Sequence, residues 1–272
     1  MKIKYLIAVL MLLLPVSMSK AADTDKLGGK ESGAPTSNVL DWRPHGSLSV
    51  NYQSAVLKNR VSRNLFDEPV ITADLTVDLT AGFFVNIYGM VGTDDNTWGD
   101  NFGDEGPDFT LGWKGKIADV DVKLNTSYVN FNPADTVAGT DWLIVWGTAS
   151  KTFNLGEGHT LRPELRVDYI NIVDWFPSSG AFVLLPSVTH EWKGAFGIPQ
   201  LTTFEMVGLQ YNQEFLSNNE SAFFQYGFGA RWNVGSNITL TLPGVFGYIP
   251  FEEPGDGRKA DVMIYSGITF KF

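Results

Sequence analysis

Residues 222–235 read AFFQYGFGARWNVG, and from Phe224 onward the bulky side chains fall on every second position: Phe224, Tyr226, Phe228, Trp232 and Val234. Gln225, Gly227, Gly229, Arg231 and Asn233 occupy the positions between. Successive side chains of a strand point to opposite faces, so this is a strand with one apolar face and one small or polar face. In a soluble sandwich the apolar face meets a second sheet, whereas in a membrane barrel it meets lipid. The rest of the chain decides between them.

The N-terminal stretch MKIKYLIAVLMLLLPVSMSKAA sets Lys2 and Lys4 before an apolar run from Tyr5 to Val16 and ends in Ser19, Lys20 and Ala21. This is the three-part layout of a secretory signal, which predicts export with cleavage after Ala21. A retained helical anchor needs about 20 apolar residues, more than this run supplies. Cleavage discards three lysines and no acid, taking the formal charge from −10 to −13. So acidic a chain repels phosphate backbones, and nucleic acid is not expected among its partners. There are no cysteines, which excludes disulfides, thiolate metal sites and cysteine nucleophiles. After Val16 no apolar run approaches a spanning helix, so a mature chain residing in a membrane must cross it as a closed barrel.

Residues 22–43 are polar, with Gly, Pro and Ser, and are expected to be a flexible segment ahead of a single unit over 44–272. Twelve strands are predicted there, near 46–57, 69–79, 82–92, 107–116, 119–131, 141–154, 159–174, 181–193, 199–214, 222–234, 237–249 and 260–272. Those near 141 and 199 alternate poorly. The connections alternate too. LKNRVSRNLFDE, TDDNTWGDNFGDEG, NPADTVAGT, WFPSSG, FLSNNES and PFEEPGDGRK are generally longer, while LTAG, KIADV, LGEGH, KGAFG and VGSN between them are tight. A transmembrane barrel with loops on one side and turns on the other predicts this rhythm, and a Greek-key sandwich does not.

The last strand, ADVMIYSGITFKF, puts Val262, Ile264, Ile268, Phe270 and Phe272 on one parity. With the export signal and the hairpin rhythm, this resembles the bacterial outer-membrane β-barrel superfamily. The resemblance implies that Phe272 serves as the signal to the outer-membrane assembly machinery, with lipid and lipopolysaccharide around the barrel. GFFVNIYGMV followed by DFTLGWKG also resembles a hairpin of an outer-membrane protein family of unknown function. The Tyr-x-x-Arg-Gly element of that family is replaced here by NYQSAVLKNRVS, so this likeness bears on class and not on substrate. The expected fold is therefore an all-β, antiparallel, up-and-down transmembrane barrel of about twelve strands, with ten or fourteen as alternatives.

In that fold the aromatics of 222–235 face lipid. Trp113, Trp142, Trp192, Trp232, Tyr128 and Tyr52 fall near strand ends and are expected to form the interface girdles. LRPELRVDY, residues 161–169, stacks Arg162, Glu164, Arg166 and Asp168 on the other face. A lipid-facing Arg or Lys near the bilayer midplane costs about 2–4 kcal/mol, so these four are expected in the lumen. Arg162, Arg166 and Arg231, opposed by Asp74, Asp78 and Asp168, are the expected constriction of a passive channel for small hydrophilic solutes. Two alternatives stand beside that field: the mixed signs pair off into a structural network, or a closed barrel presents acidic loops as an adhesin, receptor or envelope component.

An envelope lipid hydrolase is a further alternative. It needs a serine within reach of a histidine on the outer wall, and His45, His159 and His190 have no such partner in the sequence reading. Paired loop acids with a histidine, as omptin-like proteolysis requires, are not discernible either. Asp94, Asp95, Asp100, Asp104 and Glu105 cluster in one loop without the spacing of an EF-hand, so no metal or other cofactor is expected.

Overall fold

The computed structural model describes residues 45–58, 63–66, 69–92, 108–129, 142–172, 180–213, 220–252 and 259–272. The expected signal and flexible segment lie outside these residues, as does the acidic loop 93–106. Twelve strands build one wall: β1 (His45–Gln53), β2 (Val70–Asp78), β3 (Phe83–Gly92), β4 (Asp108–Ile117), β5 (Val120–Val129), β6 (Trp142–Ser150), β7 (His159–Ile172), β8 (Ala181–Lys193), β9 (Leu201–Asn212), β10 (Ser221–Val234), β11 (Ile238–Pro250) and β12 (Asp261–Lys271). Every neighbour in the wall is antiparallel, and β12 pairs back onto β1 through Ser47↔Lys271 to Gln53↔Tyr265. Gly46 N–H donates to Phe272 O at 2.9 Å and Phe272 N–H returns to Gly46 O at 3.1 Å, extending that seam. The wall is a closed up-and-down barrel, and closure satisfies the edge groups that lipid cannot.

The tight turns force several non-glycine residues into the left-handed region, including Ala81 (φ 56°), Ala118 (47°), Asp119 (67°), Glu157 (51°) and Phe196 (56°). Two-residue hairpins want positive φ at both central positions because that twist matches the flanking strands, so Ala118 and Asp119 form such a turn without its usual Asn-Gly. β6 breaks at Lys151 and resumes as Phe153–Gly156, which pairs with the start of β7.

On the outer face, Ile71, Ile87, Phe109, Leu124, Val145, Leu165, Phe182, Val207, Leu209, Phe228 and Ile264 are all exposed. Such a density of exposed large apolar side chains is the lipid-facing band of a barrel. A depression of about 600 Å³ on this face is lined by Ala149, Pro163, Leu165, Pro186, Val188, Val207, Leu209 and Phe224, among others, and is apolar where it meets lipid.

The inner face departs from the expectation of uniform polarity. Towards the long-loop end, Val129, Ile144, Ile170, Ala181, Val183 and Leu185 form one buried apolar cluster, with Trp142 and Trp146 packed on it. Phe223, Phe246 and Tyr248 form a second, flanked by Met206, Met263 and Tyr265. These residues share parity with lumen-facing neighbours across the registers Val129↔Trp142, Ile170↔Ala181 and Gly227↔Phe246. Inward glycines make room for them: a Cβ on Gly229 would lie 2.9 Å from Phe204 Cζ and 3.1 Å from Tyr265 Oη.

Candidate lumen site

An open polar cavity lies inside β2–β7, and a buried polar group of Gln210, Asn212 and Gln225 lies inside β9 and β10. Asp74, Thr76, Phe84, Asn86, Tyr88, Asp108, Thr110, Lys123, Asn125, Ser127, Trp146 and Arg166 line a cavity of about 380 Å³. The side chains converge because the wall registers set Asp74 opposite Tyr88, Thr110 opposite Ser127 and Asn125 opposite Trp146. Asn86 Nδ2 donates to Asp74 Oδ1 at 2.8 Å, Thr76 Oγ1 donates to the same oxygen at 3.3 Å, and Trp146 Nε1 donates to Ser127 Oγ at 3.2 Å.

Ring faces hold the cations. Lys123 Nζ lies 4.8 Å from the Phe84 ring centre and 5.0 Å from that of Trp146. The Arg166 guanidinium lies 4.4 Å from the Trp146 ring centre, and that of Arg231 5.0 Å from Phe204. These are attractive contacts between a positive charge and the negative face of an aromatic ring.

The charges of the expected constriction face inward but combine differently. Arg166 grips Asp168 on its own strand, Nε to Oδ1 at 2.7 Å and Nη2 to Oδ2 at 2.9 Å, and the Asp168 side chain is fully buried. Asp168 therefore does not oppose the arginines but neutralises one of them. Arg231 pairs with Glu191, and Asp78 takes Lys114 Nζ at 2.6 Å, so neither joins an arginine-to-aspartate field across the pore. Arg162 and Glu164 make no side-chain hydrogen bond or ion pair among the described residues. Local pairing is the cheaper solution, because side chains two apart on a strand, or on neighbouring strands, reach one another without crossing the lumen.

Of the expected girdle, Trp113, Trp192 and Trp232 stand on the outer parity at the tight-turn end, and Tyr52 and Tyr128 on the outer parity at the long-loop end. Trp113 Nε1 donates to Ala81 O at 3.1 Å, and Trp192 stacks on His159 at 5.0 Å. Trp142 is the correction. It shares the parity of Ile144, which is 1% exposed, and packs on the apolar cluster inside the wall. Its strand carries apolar side chains inward as well as outward, so hydropathy alone does not give its facing.

Sequence reasoning also missed a polar chain on the outer wall. His159 Nδ1 and His190 Nε2 are 3.0 Å apart with their rings stacked, and His190 Nδ1 meets Glu205 Oε1 at 2.9 Å. Hairpin arithmetic could have found it, since pairing Lys193 with Thr202 across the turn puts His190 opposite Glu205. No serine hydroxyl belongs to this chain of contacts.

Comparison with known proteins places the fold. No family model matches the sequence, and no curated protein matches it. Among solved structures, the chain is similar to the β-domain of the Bordetella autotransporter BrkA, with TM-score 0.50 and 10% identity over 85% of this chain and 100% of that one. It is also similar to the KdgM porin, with TM-score 0.49 and 8% identity over 83% of this chain and 99% of that one. For the COG4313 outer membrane channel from Pseudomonas putida F1 the values are 0.47 and 11%, over 88% of this chain and 100% of that one. At such identities the likeness to the BrkA β-domain is one of fold alone, a closed antiparallel β-barrel.

Proposed function

We propose that the protein is a passive outer-membrane channel for small hydrophilic solutes, exported by residues 1–21 and inserted with the aid of its C-terminal strand and Phe272. The observation that carries this reading is the polar cavity inside the wall, lined by Asp74, Asn86, Thr110, Lys123 and Ser127. Such a lining offers a solute replacements for its water shell. The tight turns would face the periplasm, the long loops the exterior, and lipid and lipopolysaccharide the apolar band. No catalytic role enters this reading.

A second reading is favoured by one observation. The apolar clusters on β5–β12 leave Phe223, Ile144 and Ile170 at most 1% exposed, so the interior is packed on that side. A barrel closed there would present its loops, and its function would be adhesion, reception or support of the envelope.

Conductance of the refolded protein in a planar bilayer separates the two. A channel gives steady, discrete openings. A silent barrel, shown to be folded by its heat-dependent gel mobility, would overturn the channel and turn attention to the loops.

A further inference from the structure

We infer that the cavity between β2 and β7 is a binding site for the carboxylate of a small organic monoanion, with Lys123 as its cation and Asn125 as its amide partner. This inference rests on the channel reading and names the solute class that the interior would favour.

The first observation is the distribution of charge. Lys114, Arg166 and Arg231 each hold a carboxylate, on Asp78, Asp168 and Glu191. Lys123 holds none in direct contact among the described residues: its ammonium lies over the faces of Phe84 and Trp146, with Asp74 the foremost carboxylate in its field. An ammonium that lies over two rings and has lost part of its water gains from an anion brought against it.

The second observation is independent of it. Asn125 is 4% exposed, lines the same cavity, and has no hydrogen-bond partner for either Oδ1 or Nδ2 among the described residues. Buried amides are almost always satisfied, so an orphaned one beside an unpaired cation marks a place for a ligand. Gly112 makes the arrangement possible, because a Cβ there would collide with the Phe84 ring and Asn125 Oδ1.

Asp74 and Asp108 line the same cavity. Their negative charge weighs against any anion and about twice as much against a dianion as against a monoanion, so the ligand of Lys123 carries one charge and a neutral body. Tyr88, which lines the same cavity, supplies aromatic surface for a planar body.

The experiment uses benzoate, with benzamide as its uncharged counterpart, on the full barrel in planar bilayers and by calorimetric titration of the detergent-folded protein. Benzoate is expected to reduce the open-channel current in a saturable way and to release or absorb heat on binding, and benzamide to do neither. Lys123→Met is expected to weaken both effects about tenfold or more. Asn125→Asp, which sets a carboxylate against the ligand, should abolish them, whereas Lys271→Gln at the tight-turn end should not change them.

Channels that open but ignore benzoate, or respond equally in Lys123→Met, would overturn the site and leave the channel standing. A silent barrel that binds benzoate in a Lys123-dependent way would overturn the channel and keep the site. Silence in both assays would overturn both. Folding of each variant is read from gel mobility.

Discussion

Asp168 shows how much one neighbour decides. Its carboxylate is fully buried inside the wall and is answered by Arg166 through two hydrogen bonds. Removing one partner of a buried pair strands the other charge, at a cost of about 3–5 kcal/mol. Arg166→Ala is therefore expected to lower the urea midpoint of the refolded barrel, and Arg166→Ala with Asp168→Asn to recover most of the loss. A conductance change in Arg166→Ala alone would report the exposed Asp168 charge as much as the absent arginine. The sequence showed that both residues face inward, because a charged alternation cannot face lipid. Pairing along the strand was one of the two readings the interleaved charges allowed, and which acid each arginine takes was not legible, since Asp74 and Asp78 were equally inward on parity. Asn125 was silent in the sequence for a related reason: an asparagine within an alternating strand marks a face but not whether its amide finds a partner.

Strands and turns were legible where their two faces differed. β1 and β2 alternate cleanly, and their outer sets Leu48, Val50 and Tyr52, and Ile71, Ala73 and Leu75, are those read from the sequence. β6 and β9 alternated poorly for identifiable reasons. β6 carries Trp142, Ile144 and Trp146 inward opposite Leu143 and Val145 outward, and β9 carries Phe204 and Met206 inward with Glu205 outward. Period-two reading assumes that the lumen is wet along its length, and in these strands it is not. The turns invite a test of backbone strain. Ala118 holds φ at 47°, a region that costs an ordinary side chain about 1–2 kcal/mol. Asparagine tolerates it by local hydrogen bonding, so Ala118→Asn is expected to stabilise the refolded barrel by about 1 kcal/mol, seen as a raised urea midpoint with unchanged slope.

At the scale of the whole molecule, strand number, antiparallel order and the alternation of long and tight connections could all be read without coordinates. They follow from one constraint, that lipid leaves no backbone group unpaired. What could not be read is how the interior divides into an open polar cavity and a packed side, because both belong to the same parity. That closed wall also fixes when the molecule can form. Each hairpin joins neighbours in the chain, but the seam joins Ser49 to Thr269, whose hydroxyls lie 2.9 Å apart. Loop-closure entropy makes so distant a meeting slow, and the sheet keeps two bare edges until it happens. The order of residues along the chain is thus a kinetic choice separate from the final contacts. A circular permutant that links 272 to 45 through a short Gly-Ser tether and opens between Ala118 and Asp119 would turn the seam into a local hairpin. It should reach the same gel-resistant state, and the interval before closure, followed by mobility shift during refolding into lipid vesicles, should change; an unchanged interval would mean that the meeting of β1 with β12 does not set the pace.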